Sequence, residues 1–103
     1  MSDAIGSAYM NNRVGPILRR GEIAAAAVEA AAEDNPGKAI RVDDKVAYIR
    51  IDTEGELILK RSTMEEMLGR PFRMAELEVD LSSFAGRIEV HAEFVRFYFA
   101  KTV

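Results

Sequence analysis

Residues 40–42, 46–51 and 56–60 are apolar, β-branched runs, and only Asp43-Asp44-Lys45 and Asp52-Thr53-Glu54-Gly55 separate them. Connections of three or four residues are too short for the helical crossover that parallel strands require, so the spacing predicts an antiparallel meander of three strands. Residues 87–91 and 94–99 predict a closing hairpin, with Ile88 and Val90 alternating against Val95, Phe97 and Phe99. Residues 14–18 form a short apolar stretch holding Gly15 and Pro16. Proline lacks a ladder donor, which points to an edge strand or the first residues of a strand.

Helices fill the remainder. Residues 22–34 carry Ile23, Ala26, Ala27, Ala30 and Ala31 at helical spacing, and Asn35-Pro36-Gly37 ends the run. An alanine face buries little area per residue but lets a helix lie close to a sheet. Thr63-Met64-Glu65-Glu66 has capping-box form, and Gly69 stands where a C-terminal cap belongs. Residues 74–81 fit both periods, with Met74, Leu77 and Leu81 favouring a helix and Leu77, Val79 and Leu81 a strand; the helix is preferred. Ser82-Ser83-Phe84-Ala85-Gly86 reads as a turn. The expected fold is α+β: one small domain over 14–103, with the meander and C-terminal hairpin packed on two to three helices, behind a flexible tail over 1–13.

With 103 residues there is room for one core only. A net charge of −3 argues against a nucleic-acid partner, and no apolar run approaches a membrane span. The first residues carry neither a basic segment nor an apolar one of signal-peptide type, which predicts a cytoplasmic protein. There is no Cys and one His, His91, so neither a thiolate site nor a histidine-based iron or zinc centre is expected. The clustered carboxylates fall in no phosphate or calcium motif. Ser82-Ser83 lies in no nucleophile-elbow sequence, and His91 falls at a hairpin apex. The dense basic spot is Arg19-Arg20 with Arg13 nearby, a patch suited to an acidic surface or to simple solvation. Residue chemistry alone leaves a cofactor-free binding domain.

Five segments, in order, carry a resemblance: Asn12-Arg13-Val14-Gly15-Pro16-Ile17, Asp34-Asn35-Pro36-Gly37-Lys38, Glu54-Gly55-Glu56-Leu57-Ile58-Leu59, Leu68-Gly69-Arg70-Pro71-Phe72, and Val79-Asp80-Leu81-Ser82-Ser83-Phe84-Ala85-Gly86-Arg87. Through them the chain resembles the effector, or coupling, proteins of bacterial multicomponent diiron monooxygenases. It is most similar to the toluene monooxygenase branch, with the regulatory proteins of phenol hydroxylase and methane monooxygenase as relatives. The alanine-rich residues 24–27 depart from the family pattern.

The resemblance implies a regulatory component without activity, metal or cofactor of its own. Its partner would be a diiron hydroxylase, bound above the helices that supply the iron ligands, on a surface overlapping that of a Rieske ferredoxin. It implies docking through Asn12, Arg70, Phe72, Ser82, Ser83, Phe84, Gly86 and Arg87. Of these, Gly86 suits a positive φ, and Phe84 is either an interface anchor or part of the core. Two alternatives remain from the residues: a small cofactor-independent enzyme on a ferredoxin-like sheet, and a stand-alone ligand-sensing domain.

Overall fold

The computed structural model describes residues 12–100. The expected tail therefore lies outside the described residues up to position 11, whereas Arg13 already belongs to the first strand. Chain order is β1 (Arg13–Arg19), α1 (Glu22–Asp34), β2 (Arg41–Asp44), β3 (Tyr48–Glu54), β4 (Glu56–Lys60), α2 (Arg61–Leu68), α3 (Met74–Asp80), β5 (Leu81–Ala85), β6 (Arg87–Val90) and β7 (Phe94–Tyr98). The strands form an antiparallel four-stranded sheet, β2-β3-β1-β5, and an antiparallel three-stranded sheet, β4-β7-β6. The α+β class and the closing hairpin agree with the sequence.

Three local expectations are corrected. The meander stops after two strands: β2 and β3 pair, but β4 joins β7 in the other sheet. Gly55 alone separates β3 from β4, one residue fewer than the shortest common hairpin loop, and the place beside β3 is taken by β1. β1 is thus a central strand despite Pro16. Its ladder to β3 lapses at Gly15 and Pro16, so the missing N–H falls where no bond is needed, while β5 pairs through both positions. Gly15 is required there, because a Cβ would stand 2.0 Å from the carbonyl oxygen of Ile51. Finally, residues 81–85 are strand β5 rather than a turn, paired along β1 with a bulge at Ile17/Leu18. The preferred helix is present over Met74–Asp80 and only Leu81 of that segment belongs to the strand, so the alternation of Leu77 and Val79 is not a strand period: Leu77 is buried in the helix and Val79 is exposed on it.

The core lies between the inner faces of the two sheets, with Val14, Leu18, Ile49 and Ile51 from one meeting Leu57, Leu59, Val95 and Phe97 from the other. α1 closes one side through Ile23 and the alanines, whose small side chains bring its backbone close. Asn35 then fastens its end. The side-chain amide donates to the carbonyls of Ala31 (2.9 Å) and Ile58 (2.8 Å) and accepts from the Ile58 N–H (2.9 Å), filling the outer edge of β4 as a strand would. Lys38 Nζ donates to the carbonyls of Glu54 and Glu56 on either side of Gly55.

α2 starts two residues before the expected cap. Thr63 sits inside it and donates through Oγ1 to Asp34 Oδ1 (2.7 Å), while Gly69 does end the helix. Phe99, expected on the core face with Val95 and Phe97, is exposed.

Candidate functional site: the outer faces of the two sheets

Strand alternation puts every second residue of the four-stranded sheet outward, and no helix covers that face. Register aligns two rows across it. One runs Asp43, Arg50, Ile17, Ser83; the next is made of two pairs, Arg41 with Asp52 and Gly15 with Ala85, on either side of the lapse in the β1–β3 ladder. Asp52 is nearly buried because Arg13 Nε (2.6 Å) and Arg41 Nη2 (2.9 Å) both bind its carboxylate. Those contacts push the Arg41 guanidinium above its ordinary value, chiefly through the hydrogen bond to Asp52. Arg50 differs. Asp43, opposite it in register, pairs with Lys45 instead (3.2 Å), and among the described residues no ion pair or side-chain hydrogen bond reaches Arg50 or Arg19. Arg50 lines a cleft of about 150 Å³ together with Gly15, Ile17, Ser83, Phe84, Ala85 and Asp52, whose carboxylate Arg13 and Arg41 already hold. Tyr48, paired with Arg19 and 40% exposed, extends the face toward the β2–β3 hairpin.

At that hairpin Val46 has φ 71, a conformation costly for a β-branched residue, and its side chain is 79% exposed. The strain is braced by hydrogen bonds. Arg20 Nε donates to the Val46 carbonyl and its Nη2 to Asp44, while the Val46 N–H donates to Asp44 Oδ1 (2.8 Å). The Arg20 contact, then the Val46 N–H, hold the Asp44 carboxyl below its usual value.

The outer face of the three-stranded sheet is closed by its own charges. Arg96 sits at the centre, bound to Glu56 and Glu89, with its guanidinium 4.0 Å from the ring centroid of Tyr98. The Glu56 contact is the main reason the Arg96 pKa is raised.

The residues singled out in the sequence fall into three groups. Ser82, Ser83, Phe84, Gly86 and Arg87 form one exposed strip along β5 and into β6, and Asn12 adjoins it, its carbonyl accepting from the Gly55 N–H (3.0 Å) while the Gly55 carbonyl accepts from Phe99. Phe84 is 39% exposed with its ring centroid 6.1 Å from that of Phe97, so it lies at the rim of the core and not inside it. Gly86 has φ 90, and a Cβ there would meet Val14 Cγ1 at 2.6 Å and the Tyr98 carbonyl at 2.7 Å, which makes it the corner between the sheets. Arg70 stands apart, paired with Glu22 and Glu76 across α1 and α3. Phe72 is removed from the docking set: it is 2% exposed, and its N–H is held by Glu65 Oε2 (2.9 Å). Its apolar ring fills the core under α2 and α3.

Arg50, Ile17 and Tyr48 were not singled out in the sequence. Their signal was alternation, with Ile17 between Pro16 and Leu18 and Arg50 between Ile49 and Ile51. The rows became visible only with register. His91 lies exposed at the β6–β7 turn, and no group of three or more His, Asp or Glu able to hold a metal occurs among the described residues. No described helix is long and apolar enough to cross a membrane.

An uncovered, charged sheet face suits a binding component, and the comparisons with known proteins define its class. Residues 12–98 match the MmoB/DmpM family, and the chain belongs to that family. It is 38% identical over 99 residues to the alkene monooxygenase system effector subunit of Xanthobacter autotrophicus (strain ATCC BAA-1158 / Py2), covering 96% of this chain and 98% of that one. It is 37% identical over 62 residues to the phenol 2-monooxygenase stimulatory component DmpM of Pseudomonas sp. (strain CF600), covering 60% of this chain and 67% of the relative. Among solved structures, a chain of a phenol hydroxylase–regulatory protein complex superposes with a TM-score of 0.74 at 28% identity, covering 85% of this chain and 99% of that chain. The soluble methane monooxygenase regulatory protein B shares the fold, with a TM-score of 0.65 at 21% identity over 87% of this chain and 67% of its own. The relatives are named as effector, stimulatory or regulatory components and not as catalytic ones.

Proposed function

We propose that the chain is a cytoplasmic, cofactor-free effector that docks on the diiron hydroxylase of a toluene-type monooxygenase, reshapes its active site, and raises the rate and coupling of O2-dependent hydroxylation. The observation that carries this reading is the 38% identity, over nearly the full length of both chains, with a monooxygenase effector subunit. The toluene-type assignment rests on the sequence resemblance. Identity to an alkene system supports a second reading, in which the hydroxylase takes an alkene. Substrate choice belongs to the hydroxylase pocket in either case.

An effector can shift its partner only by binding one conformer better than another; moving an equilibrium from 1:99 to 99:1 takes about 5.5 kcal/mol of differential affinity. The docking residues on this reading are Ser82, Ser83, Phe84, Gly86, Arg87 and Asn12, with Arg70 outside the strip. A Rieske ferredoxin delivering electrons would use an overlapping part of the hydroxylase surface.

Reconstitution tests the proposal. Added to hydroxylase, ferredoxin and reductase, the protein should raise product formed per reductant consumed, with an optimum near equimolar hydroxylase active sites and inhibition in large excess. Product formation unchanged at every ratio refutes it. Parallel assays with toluene and propene separate the two substrate readings.

A further inference from the structure

We propose that the open face of the four-stranded sheet, centred on Arg50 and Arg19, is a docking surface for a carboxylate-bearing patch of the hydroxylase, with one acidic side chain entering the cleft beside Arg50. The inference rests on the effector reading and names the chemistry that the effector meets.

Four observations carry it. The two sheets each hold an outward arginine in mid-strand, and Arg96 has two carboxylates and a ring while Arg50 has none. A guanidinium left free beside a cleft of about 150 Å³ is a ready fork for a carboxylate. The face is continuous with the β5 strip, because Ile17 pairs with both Arg50 and Ser83. Charge is also segregated across the molecule. Glu29, Glu33, Glu66 and Glu78 lie exposed on the three helices without ion pairs, whereas the sheet face presents Arg19 and Arg50. A protein of net charge −3 approaching an acidic surface is therefore steered sheet-first. Ile17 and Tyr48 supply the apolar and aromatic contact that interfaces favour.

The test uses the full chain and the hydroxylase of the same gene cluster, with binding measured by calorimetry at low and high salt. Arg50→Glu should weaken binding at least about tenfold and flatten its salt dependence, as removal of an interfacial charge does. Its Tm should fall by no more than a few degrees, since Arg50 has no ion pair or side-chain hydrogen bond to lose and the new carboxylate stands opposite Asp43, which is only partly buried. Arg50→Gln, which adds no repulsion, should fall between the two, and Arg96→Ala should bind normally. Parental affinity in Arg50→Glu overturns the proposal. If Ser83→Tyr still weakens binding in that case, docking runs along β5 alone and the effector reading stands. If the unaltered protein neither binds nor stimulates the hydroxylase, the effector reading falls and this inference falls with it.

Discussion

The two sheets share a design on the inside and differ on the outside. Inward, each contributes aliphatic side chains to one core. Outward, the three-stranded sheet satisfies its central arginine within the sheet, through Glu56, Glu89 and Tyr98. The four-stranded sheet buries one carboxylate, Asp52, under two arginines and leaves Arg50 and Arg19 open. A charge that the fold has neutralised serves stability, while one left solvated beside a cleft adds little to stability and is available to a partner.

The comparison breaks most severely at Gly15, in the cleft of the open face. Gly15→Ala places a methyl against the Ile51 carbonyl, and neither central strand can move without losing its register. We expect a loss of about 3 kcal/mol or more, visible as failure to reach the parental circular dichroism spectrum. A folded protein with the parental Tm would show that β1 and β3 are not so close. The comparison sharpens at the two arginines. Arg96→Ala should lower the urea midpoint measurably, from the lost ring contact and two-carboxylate network. Arg50→Ala should stay within about 0.5 kcal/mol of the parent in urea unfolding. Equal losses would erase the distinction between a closed and an open sheet.

Val46→Gly should act in the opposite direction. Relief of the positive φ outweighs the added backbone freedom of glycine, and the side chain packs on little, so Tm should rise by a few degrees. A lower Tm would mean that Val46 is unstrained.

The smallest effect is the acid response of the same hairpin. Asp44 has a depressed carboxyl pKa, so its contribution is fully present above the ordinary value of 3.8 and is lost as pH falls through the lower folded value. The Asp44 carboxyl, followed by NMR, should titrate below 3.8 in the parent and move up toward it in Arg20→Gln. A parental midpoint at or above 3.8 would remove the clamp from the account.

Much of the fold was legible because local patterns suffice for it. The alanine face of α1, the stop at Asn35-Pro36-Gly37 and the C-terminal hairpin depend on residues near one another in the chain. The errors share a cause, namely pairing between distant segments. Pro16 argues against a central strand unless its ladder lapses at that position, and Ser82 to Ala85 read as a turn until β1 lies alongside. For the site, Ser82, Ser83, Gly86 and Arg87 came from the family resemblance and proved exposed. Phe72 came from it too and proved buried, since a motif marks a position without saying which way its side chain points.

By itself, the sequence determined the α+β class, the one core, the family, and a chemistry without Cys or a second His. These follow from composition and from spacing within a few residues. Tertiary structure alone decided that β4 would leave β3 for β7, that Asn35 would occupy a strand edge, and that Arg50 would stand open while Arg96 was closed. Each depends on which strands lie side by side. Register places Glu56 and Glu89 around one arginine and Asp43, Ile17 and Ser83 around the other, joining residues up to 66 positions apart in the chain, from Ile17 to Ser83.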